Sequence, residues 1–448
     1  MPYTHTTFAQ AKQRLADILG DPGKVFFTDA ELGSYLIEAL RWWGLEAMYF
    51  RETGKITTVA SQPFYRVETD LKDALGVTLL QGLSVTDRDL INDINLALME
   101  PTISAWAGGW IGTEMFDLGT ITAALQEIRD EFLKLTGCLA TQLQFFPVSQ
   151  RTSLADSFIR ILRADINEQG STGPIPLEPA DQAQIQTTSR SAIIPGPKRP
   201  RAFSVSYTPQ LTVDLWPPPA TNSTLNLQAI ETGGTLNPTS LATVLKIPDD
   251  AAFVLKYGVL QELFGEDGLA RSPQMAQYCA QRYVDGLDCM ARYQSVLWAN
   301  IAESRRPITS VDKLDQLRPT WRQGTGGLRS VAQLNWNTLA LNQVPSGISV
   351  ITFEAIRKAP IPTVDGDFIQ VGRESMNALY DYAHHIALIK CQGAEFAASM
   401  SLYEGAKALA QDYRQQIASQ SYLYRETQLP AIDQKRSQPY RRQVAVEE

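Results

Sequence analysis

Three histidines occur in 448 residues, His5, His384 and His385, and this scarcity removes most histidine-based chemistry from consideration. His384 and His385 are sequence neighbours whose side chains diverge by about 100° on a helix, so they do not converge on one ligand. No H-x-x-x-H pair, no H-E-x-x-H and no Cys/His cluster is present, which argues against a conventional zinc site. Beside Tyr380 and Tyr382 the two histidines read as helix positions rather than catalytic bases. Cysteine is equally sparse: Cys138, Cys279, Cys289 and Cys391 show no C-x-x-C spacing, which fits a reducing compartment better than a disulfide scaffold. No apolar run approaches the roughly 20 residues that span a bilayer. Met1 to Arg14 carries no apolar stretch of the kind a secretory signal needs. A basic excess is also missing. Lys and Arg number 40 against 48 Asp and Glu, a formal charge of −8, which argues against a general binder of nucleic acid or membrane surface.

What is present suits a packed protein. Hydrophobic residues make up 44% of the chain, enough to bury a core, and the length is a prior for two or three packing units. The expected fold class is α+β, mostly helical: an N-terminal helical domain over 1–164, a Pro/Gly-rich arm over 165–204, two related small strand-plus-helix-pair units over 205–304 and 305–418, and an extended tail over 419–448.

The helical signals come from caps and periodicity. Thr28 followed by Glu31 forms a capping-box pattern, and Leu32, Leu36, Ala39, Leu40 and Trp43 then recur at spacings of three and four. The pattern returns at Thr86, where Asp89 replaces the Glu and Leu90, Ile94, Ala97 and Leu98 follow. A third helix is expected over about Leu118 to Leu135, stopped by Gly137. Trp106 to Trp110 between the last two reads as a packed loop.

From Asp165 to Arg201 prolines and glycines punctuate a polar stretch without periodicity, the pattern of an extended connection. Lys198, Arg199 and Arg201 make it locally basic. Strands are then expected around Phe203, Val205 and Tyr207, around Leu211 to Leu215, ended by Pro217, and around Leu225 to Ala229. A helix opens at Pro248-Asp249-Asp250, and a second, about Pro273 to Trp298, pairs with it as an αα-hairpin. A similar succession follows: Leu339 and Leu341, a strand with Ile348, Val350 and Phe353, Pro362-Thr363, then a helix holding Tyr382 and ending near Gly393. Tyr257 and Tyr382, Gly268 and Gly393, Met275 and Met400, and Tyr278 and Tyr403 are each 125 apart, which suggests a repeat. After Ser419 the chain is polar, with basic pairs Lys435-Arg436 and Arg441-Arg442, and reads as an exposed tail.

Sequence motifs for catalysis fail their own context. Arg322 to Gly327 has phosphate-loop glycines without a following Lys-Ser/Thr. Val364-Asp365-Gly366-Asp367 lacks the later ligands of a calcium loop, and both it and Gly265 to Gly268 read as turns. No G-x-S-x-G elbow occurs, and no carboxylate pair stands out. No catalytic residue, cofactor or metal is expected.

Phe27-Thr28-Asp29-Ala30-Glu31-Leu32, followed by Leu36, Ala39, Leu40 and Arg41, resembles the first helix of tailed-bacteriophage head-to-tail adaptor (connector) proteins. Val213 to Pro219, the Leu225-x-Leu227 strand, Pro248-Asp249-Asp250 and the Tyr257 helix are similar to their strand-and-helix-pair half. The chain departs from the family in its length and in its duplicated α+β half. The resemblance implies a non-enzymatic virion protein of the neck or tail, assembled in the host cytoplasm. It would form a homo-oligomeric ring, commonly a dodecamer, around double-stranded DNA, between the portal protein and tail or nozzle proteins, with no membrane partner. An acidic wall would let DNA slide without the counterion release that basic residues produce. Lys435, Arg436, Arg441, Arg442, Lys198, Arg199 and Arg201 are the expected contacts to neighbours. A tail nozzle or baseplate role, and a cellular enzyme or scaffold without a recognisable site, are the alternatives.

Overall fold

The computed structural model describes residues 5–428 except 61, 63, 74–83, 101–115, 139, 147, 168–174, 182–198, 208–209, 221, 239–241, 268–270, 293–295, 302–303, 311–313, 315–327, 329 and 337. The protein is mixed α+β, with helix outweighing strand. Its longer helices come in four consecutive pairs: α1 (Phe8–Ile18) with α2 (Asp29–Ala47), α3 (Asp87–Leu98) with α4 (Leu118–Thr136), α5 (Ala252–Gly265) with α6 (Pro273–Arg292), and α7 (Arg373–Ala387) with α8 (Gly393–Gln428). Threonine side chains start three of them. Thr7, Thr28 and Thr86 each accept a bond from the third residue of the helix, while Gln10, Glu31 and Asp89 reach back to the cap nitrogen. These reciprocal bonds satisfy backbone donors that a helix start otherwise leaves open. Asp117 caps α4 in the simpler one-way manner. Both α2 and α4 span 19 residues and end on a left-handed residue, Met48 and Gly137.

Strands occupy the gaps between the pairs: β1 (Arg51–Thr57) and β2 (Phe64–Arg66) after α2; β3 (Ala140–Phe145), β4 (Arg151–Ser153), β5 (Phe158–Asn167), β6 (Ile175–Pro176), β7 (Glu178–Pro179), β8 (Ala202–Ser206), β9 (Thr212–Trp216) and β10 (Thr224–Glu231) after α4; β11 (Val296–Ile301), β12 (Ser304–Ser310), β13 (Val331–Asn335), β14 (Thr338–Leu341) and β15 (Val350–Ile356) after α6. One seven-stranded sheet runs β1-β15-β11-β12-β13-β14-β2, and two four-stranded sheets run β3-β10-β5-β6 and β4-β9-β8-β7.

These sheets share one topology. If β3, β4, β5, β8, β9 and β10 stand for β1, β2, β11, β13, β14 and β15, and the β6–β7 segment for β12, then chain order and neighbour order both agree. Pairing directions agree as well: β12 with β13 and β7 with β8 are parallel, and every other pair is antiparallel. The middle strand changes partner directly after a proline in both cases. Residues up to Pro307 pair with β11 and those from Ile308 with β13, whereas Pro176 ends the pairing with β5 and Glu178 begins that with β8. An outer unit (α1, α2, β1, β2, β11–β15, α7, α8) therefore encloses a nested unit (α3, α4, β3–β10, α5, α6) of the same order.

All four helix pairs contribute to one apolar core, while the seven-stranded sheet and the two facing four-stranded sheets have cores of their own. Helix α5 is buried on nearly all sides, from Ala252 to Leu260, which explains why its sequence lacks a polar face. Close approach is possible because of two glycines: a Cβ on Gly258 would lie 2.5 Å from Ile128 of α4, and one on Gly286 2.5 Å from Val254.

Several sequence expectations need correction. The first 164 residues are not all helical, since β1 to β5 lie there, and β1 and β2 complete a sheet with residues 296–356. Asp165–Arg201 is not only a connection: it holds the end of β5 and the short strands β6 and β7, with Leu177 buried between them. Trp298 belongs to β11 rather than to a helix, because the chain leaves α6 at Arg292 and Val296 alternates inward against β15. Ile348 precedes β15, and α7 stops at Ala387, five residues before the left-handed turn residue Gln392. The segment expected as a tail from 419 is helical as far as Gln428, and 429–448 lie outside the described residues. Helix α1 had no counterpart among the expected elements. Trp106–Trp110, Gly268 and Arg322–Gly327 lie outside the described residues.

Candidate functional site

A concentration of buried polar chemistry sits where the nested unit meets the outer one. Helix α2 supplies Glu38 and Trp42, α5 supplies Lys256 and Tyr257, α6 supplies Tyr278 and Arg282, α7 supplies Tyr382 and His385, and α8 supplies Ser399 and Tyr403. The tyrosine pairs spaced by 125 residues thus converge in space.

Arg282 is the centre. Its guanidinium carbon lies 4.3 Å from the Tyr403 ring centre, 4.6 Å from Tyr257 and 5.0 Å from Tyr382, while Nη2 donates to the Tyr382 hydroxyl. Tyr382 and Tyr257 donate in turn to Glu38 at 3.3 and 2.9 Å, and Glu38 also accepts from Lys256. Trp42 stacks on Tyr382 with centroids 4.2 Å apart and planes 11° from parallel. A buried charge is tolerable only when paired and bonded; here Glu38 answers Lys256, and three aromatic faces surround Arg282.

The histidine beside it can be assigned a tautomer. Ser399 Oγ donates to the Phe396 carbonyl at 2.7 Å, so it accepts from His385 Nδ1 at 2.8 Å, leaving Nε2 to accept from the Tyr278 hydroxyl at 2.7 Å. Burial, then the Arg282 and His384 charges, push the His385 pKa down to about 3, in keeping with a neutral ring. Burial likewise holds the hydroxyls of Tyr257, Tyr278 and Tyr382 well above the ordinary tyrosine range, so all three remain donors.

An outer layer fastens the same helices. Lys407 pairs with Asp285 at 2.5 Å, Cys289 donates to Glu46 at 2.8 Å, and Arg414 approaches Cys289 at 3.6 Å. Cys289 and Arg414 are again 125 apart, so equivalent turns of α6 and α8 touch. Burial, and then the Glu46 charge, keep the Cys289 thiol protonated; burial pushes Cys279 up to about 12, so neither is poised as a nucleophile. The cavity beside Arg282, bordered by Trp42, Glu46 and Cys289, measures about 20 Å³, room for one water and no substrate.

Carboxylates tie the units together at a second place. Asp249 accepts from Ser84 N (2.7 Å), Val85 N (3.0 Å), Ser84 Oγ (2.6 Å) and Lys358, and Asp250 accepts from Ala359 N at 3.0 Å. The start of α5 is thereby bound both to the entry of α3 and to the exit of β15. Burial pushes Asp249 upward, but its bonds from Lys358 and Ser84 prevail and hold it below the usual carboxylate range; burial wins at Asp250, pushed up to about 6. Among the described residues six carboxylates and four cations are buried.

Of the residues expected to contact neighbours, two are described. Lys198, Lys435, Arg436, Arg441 and Arg442 lie outside the described residues, and Arg199 and Arg201 are exposed at the start of β8. The Arg201 backbone joins the sheet, its nitrogen donating to Trp216 and its carbonyl accepting from Glu178. Val364–Asp367 is the expected turn, with Asp367 accepting from Thr363 and Val364 nitrogens. Glu38, Lys256 and Arg282 were missed from sequence, although the tyrosine spacing pointed to their surroundings. Among the described residues no three His, Cys, Asp or Glu side chains are grouped to hold a metal, and no helix is long and apolar enough to cross a membrane. A scan of protein-family models and a search of curated proteins found no match for the chain.

Proposed function

We propose that this chain is a virion structural protein, a head-to-tail adaptor or neck component that forms a homo-oligomeric ring around the DNA channel and joins portal to tail. The observation that carries the reading is the junction itself: two units of one topology meet there, and their ionisable groups are spent on each other rather than presented to a cavity. Such groups specify a shape. The chain's formal charge of −8 suits a wall past which DNA slides unheld, and the likeness of the Thr28 helix and the Tyr257 half to adaptor proteins supplies the biological setting. Helix α8, with 36 residues, is about 54 Å long, a suitable lever toward a neighbouring ring. Negative-stain microscopy and native mass spectrometry of the purified chain, alone and with portal protein, test this. Rings with a pore wide enough for duplex DNA are expected, and a monomer that associates with neither portal nor tail components would refute the assignment.

A further inference from the structure

Helices α2 and α4 correspond position by position, because their caps Thr28 and Asp117 and their left-handed ends Met48 and Gly137 share one sequence offset. Glu127 therefore stands where the outer unit has Glu38, and Glu131 where it has Trp42. In the outer unit this face is covered: Trp42 is buried, and Glu38 is answered by Lys256 of the nested unit. In the nested unit Glu127 and Glu131 are exposed. The end of α5 adds two more carboxylates beside them, half-buried Glu262 and exposed Glu266, at positions where the 125-residue spacing gives the outer unit the uncharged Ala387 and Cys391. Burial, and then repulsion from Glu127, Glu131 and Glu266, hold the Glu262 carboxyl above the usual carboxylate range.

Among the described residues none of these four side chains has an ion-pair partner. A second group at the same place also lacks one. Tyr283, 5% exposed, has a hydroxyl with no hydrogen-bond partner, and the charges of Glu131 and Glu262 act on it. Carboxylates only accept hydrogen bonds, and a tyrosine hydroxyl has lone pairs as well as its proton, so a segment rich in N–H donors and positive charge satisfies both. Two such faces cannot meet across a two-fold axis, because like charges would be set against each other. The outer unit supplies the precedent, since the cover on its Glu38 face brings Lys256 and Arg282.

We infer that the basic segment Lys435–Arg442 of one copy docks on the Glu127, Glu131, Glu262 and Glu266 face of the next; this rests on the ring reading above. Lys435, Arg436, Arg441 and Arg442 fall within eight residues that contain no Asp or Glu. Their position relative to α8 points to a neighbouring copy. Helices α6 and α8 run in the same direction, with Tyr278 beside Phe396, Asp285 beside Lys407 and Cys289 beside Arg414. The end of α8 at Gln428 is thus about 30 Å beyond the level of Tyr283. Lys435 follows Gln428 by seven residues, which span about 25 Å when fully extended, so it cannot return to the glutamates of its own chain. A segment on one end of a molecule and its complement on another surface form a heterologous contact, the kind that closes into rings.

The test assembles full-length chains labelled with heavy nitrogen together with unlabelled ones and treats them with a carbodiimide, which joins a lysine amine to a carboxylate in contact with it. Assembly is also measured across salt concentrations for wild type and for the full-length triple variant Glu131→Gln, Glu262→Gln, Glu266→Gln. Expected are crosslinks from Lys435 to the glutamate face between labelled and unlabelled chains, and for the triple variant roughly tenfold weaker assembly with a shallower salt dependence. Its unfolding temperature should be no lower than that of wild type, because the substitutions relieve repulsion. Triple-variant rings as tight as wild type, with no Lys435 crosslink, would overturn the contact and leave the ring reading standing. Crosslinks confined to single chains, or formed by Lys198 in place of Lys435, would equally overturn it. A wild-type chain that never oligomerises would overturn both.

Discussion

The outer and nested units differ most in one strand. In the outer unit β12 is continuous, so its first half joins β11, its second half joins β13, and one seven-stranded sheet results. In the nested unit the corresponding segment is reduced to Ile175-Pro176 and Glu178-Pro179 around buried Leu177, and the sheet separates into two that face each other across a shared core. Neither proline offers a ladder donor, and the Leu177 nitrogen bonds back to Ala164 while the Glu178 nitrogen bonds to Arg201. The interruption of a single strand thus decides whether a unit holds one seven-stranded sheet or two four-stranded sheets around a shared core.

Breaking the junction should have the largest effect. Glu38→Ala leaves Lys256 buried without its carboxylate and removes the acceptor of two tyrosines; a loss of about 3–5 kcal/mol in denaturant unfolding is expected. A smaller loss means that the two units are joined mainly by apolar packing. Next comes acid. His385, with an unfolded value near 6.5 and a folded one of about 3, takes up its proton more readily when unfolded, so its contribution is complete above pH 6.5 and declines as pH falls toward 3. Asp250 acts oppositely: its folded value of about 6 lies above the unfolded 3.8, so it favours the folded state increasingly as pH falls from 6 to 4. Between pH 7 and 4 stability should fall more steeply in wild type than in His385→Gln; parallel curves would remove His385 as the titrating group.

A comparison of equivalent helix positions is expected to give an intermediate effect. Gly258 corresponds to Ala383 and Gly286 to Gln411 at the 125-residue spacing, yet only the nested helices approach closely enough to forbid a side chain. Gly258→Ala should cost about 1–3 kcal/mol through overpacking, even though alanine favours the helix. A stabilising result would show that α4 and α5 can separate without penalty. The smallest effects belong to the caps: Thr28→Ala and Thr86→Ala should each cost about 1 kcal/mol, measurable as paired shifts in midpoint, and a neutral result at Thr86 would show that the shorter Asp89 partner suffices alone.

Much of the helical framework was legible because caps are local. Thr28 with Glu31 and Thr86 with Asp89 announce their helices within four residues, and Gly137 and Pro217 mark ends through backbone rules alone. The 125-residue spacing was visible for the same reason, since β10 to α6 and β15 to α8 are each contiguous. The front half of the outer unit was not, because β1 and β2 are separated from β11 by the whole nested unit, and long-range pairing leaves no periodicity in either segment. Strands as short as Ile175-Pro176 fall below any alternation pattern. The junction was half visible: the tyrosines stood out by their spacing, whereas Glu38 lay unnoticed inside an apolar stripe and Arg282 looked like one more polar residue of an amphipathic helix. A charge that is paired across more than 200 residues carries no local sign of its partner.

We propose that this pair of nested units assembles with further copies of itself. Native mass spectrometry of the full-length chain at increasing concentration, followed by imaging of the same sample, tests it most directly: a single closed oligomer with a central pore is predicted, and a chain that remains monomeric at every concentration and in the presence of portal protein would contradict it.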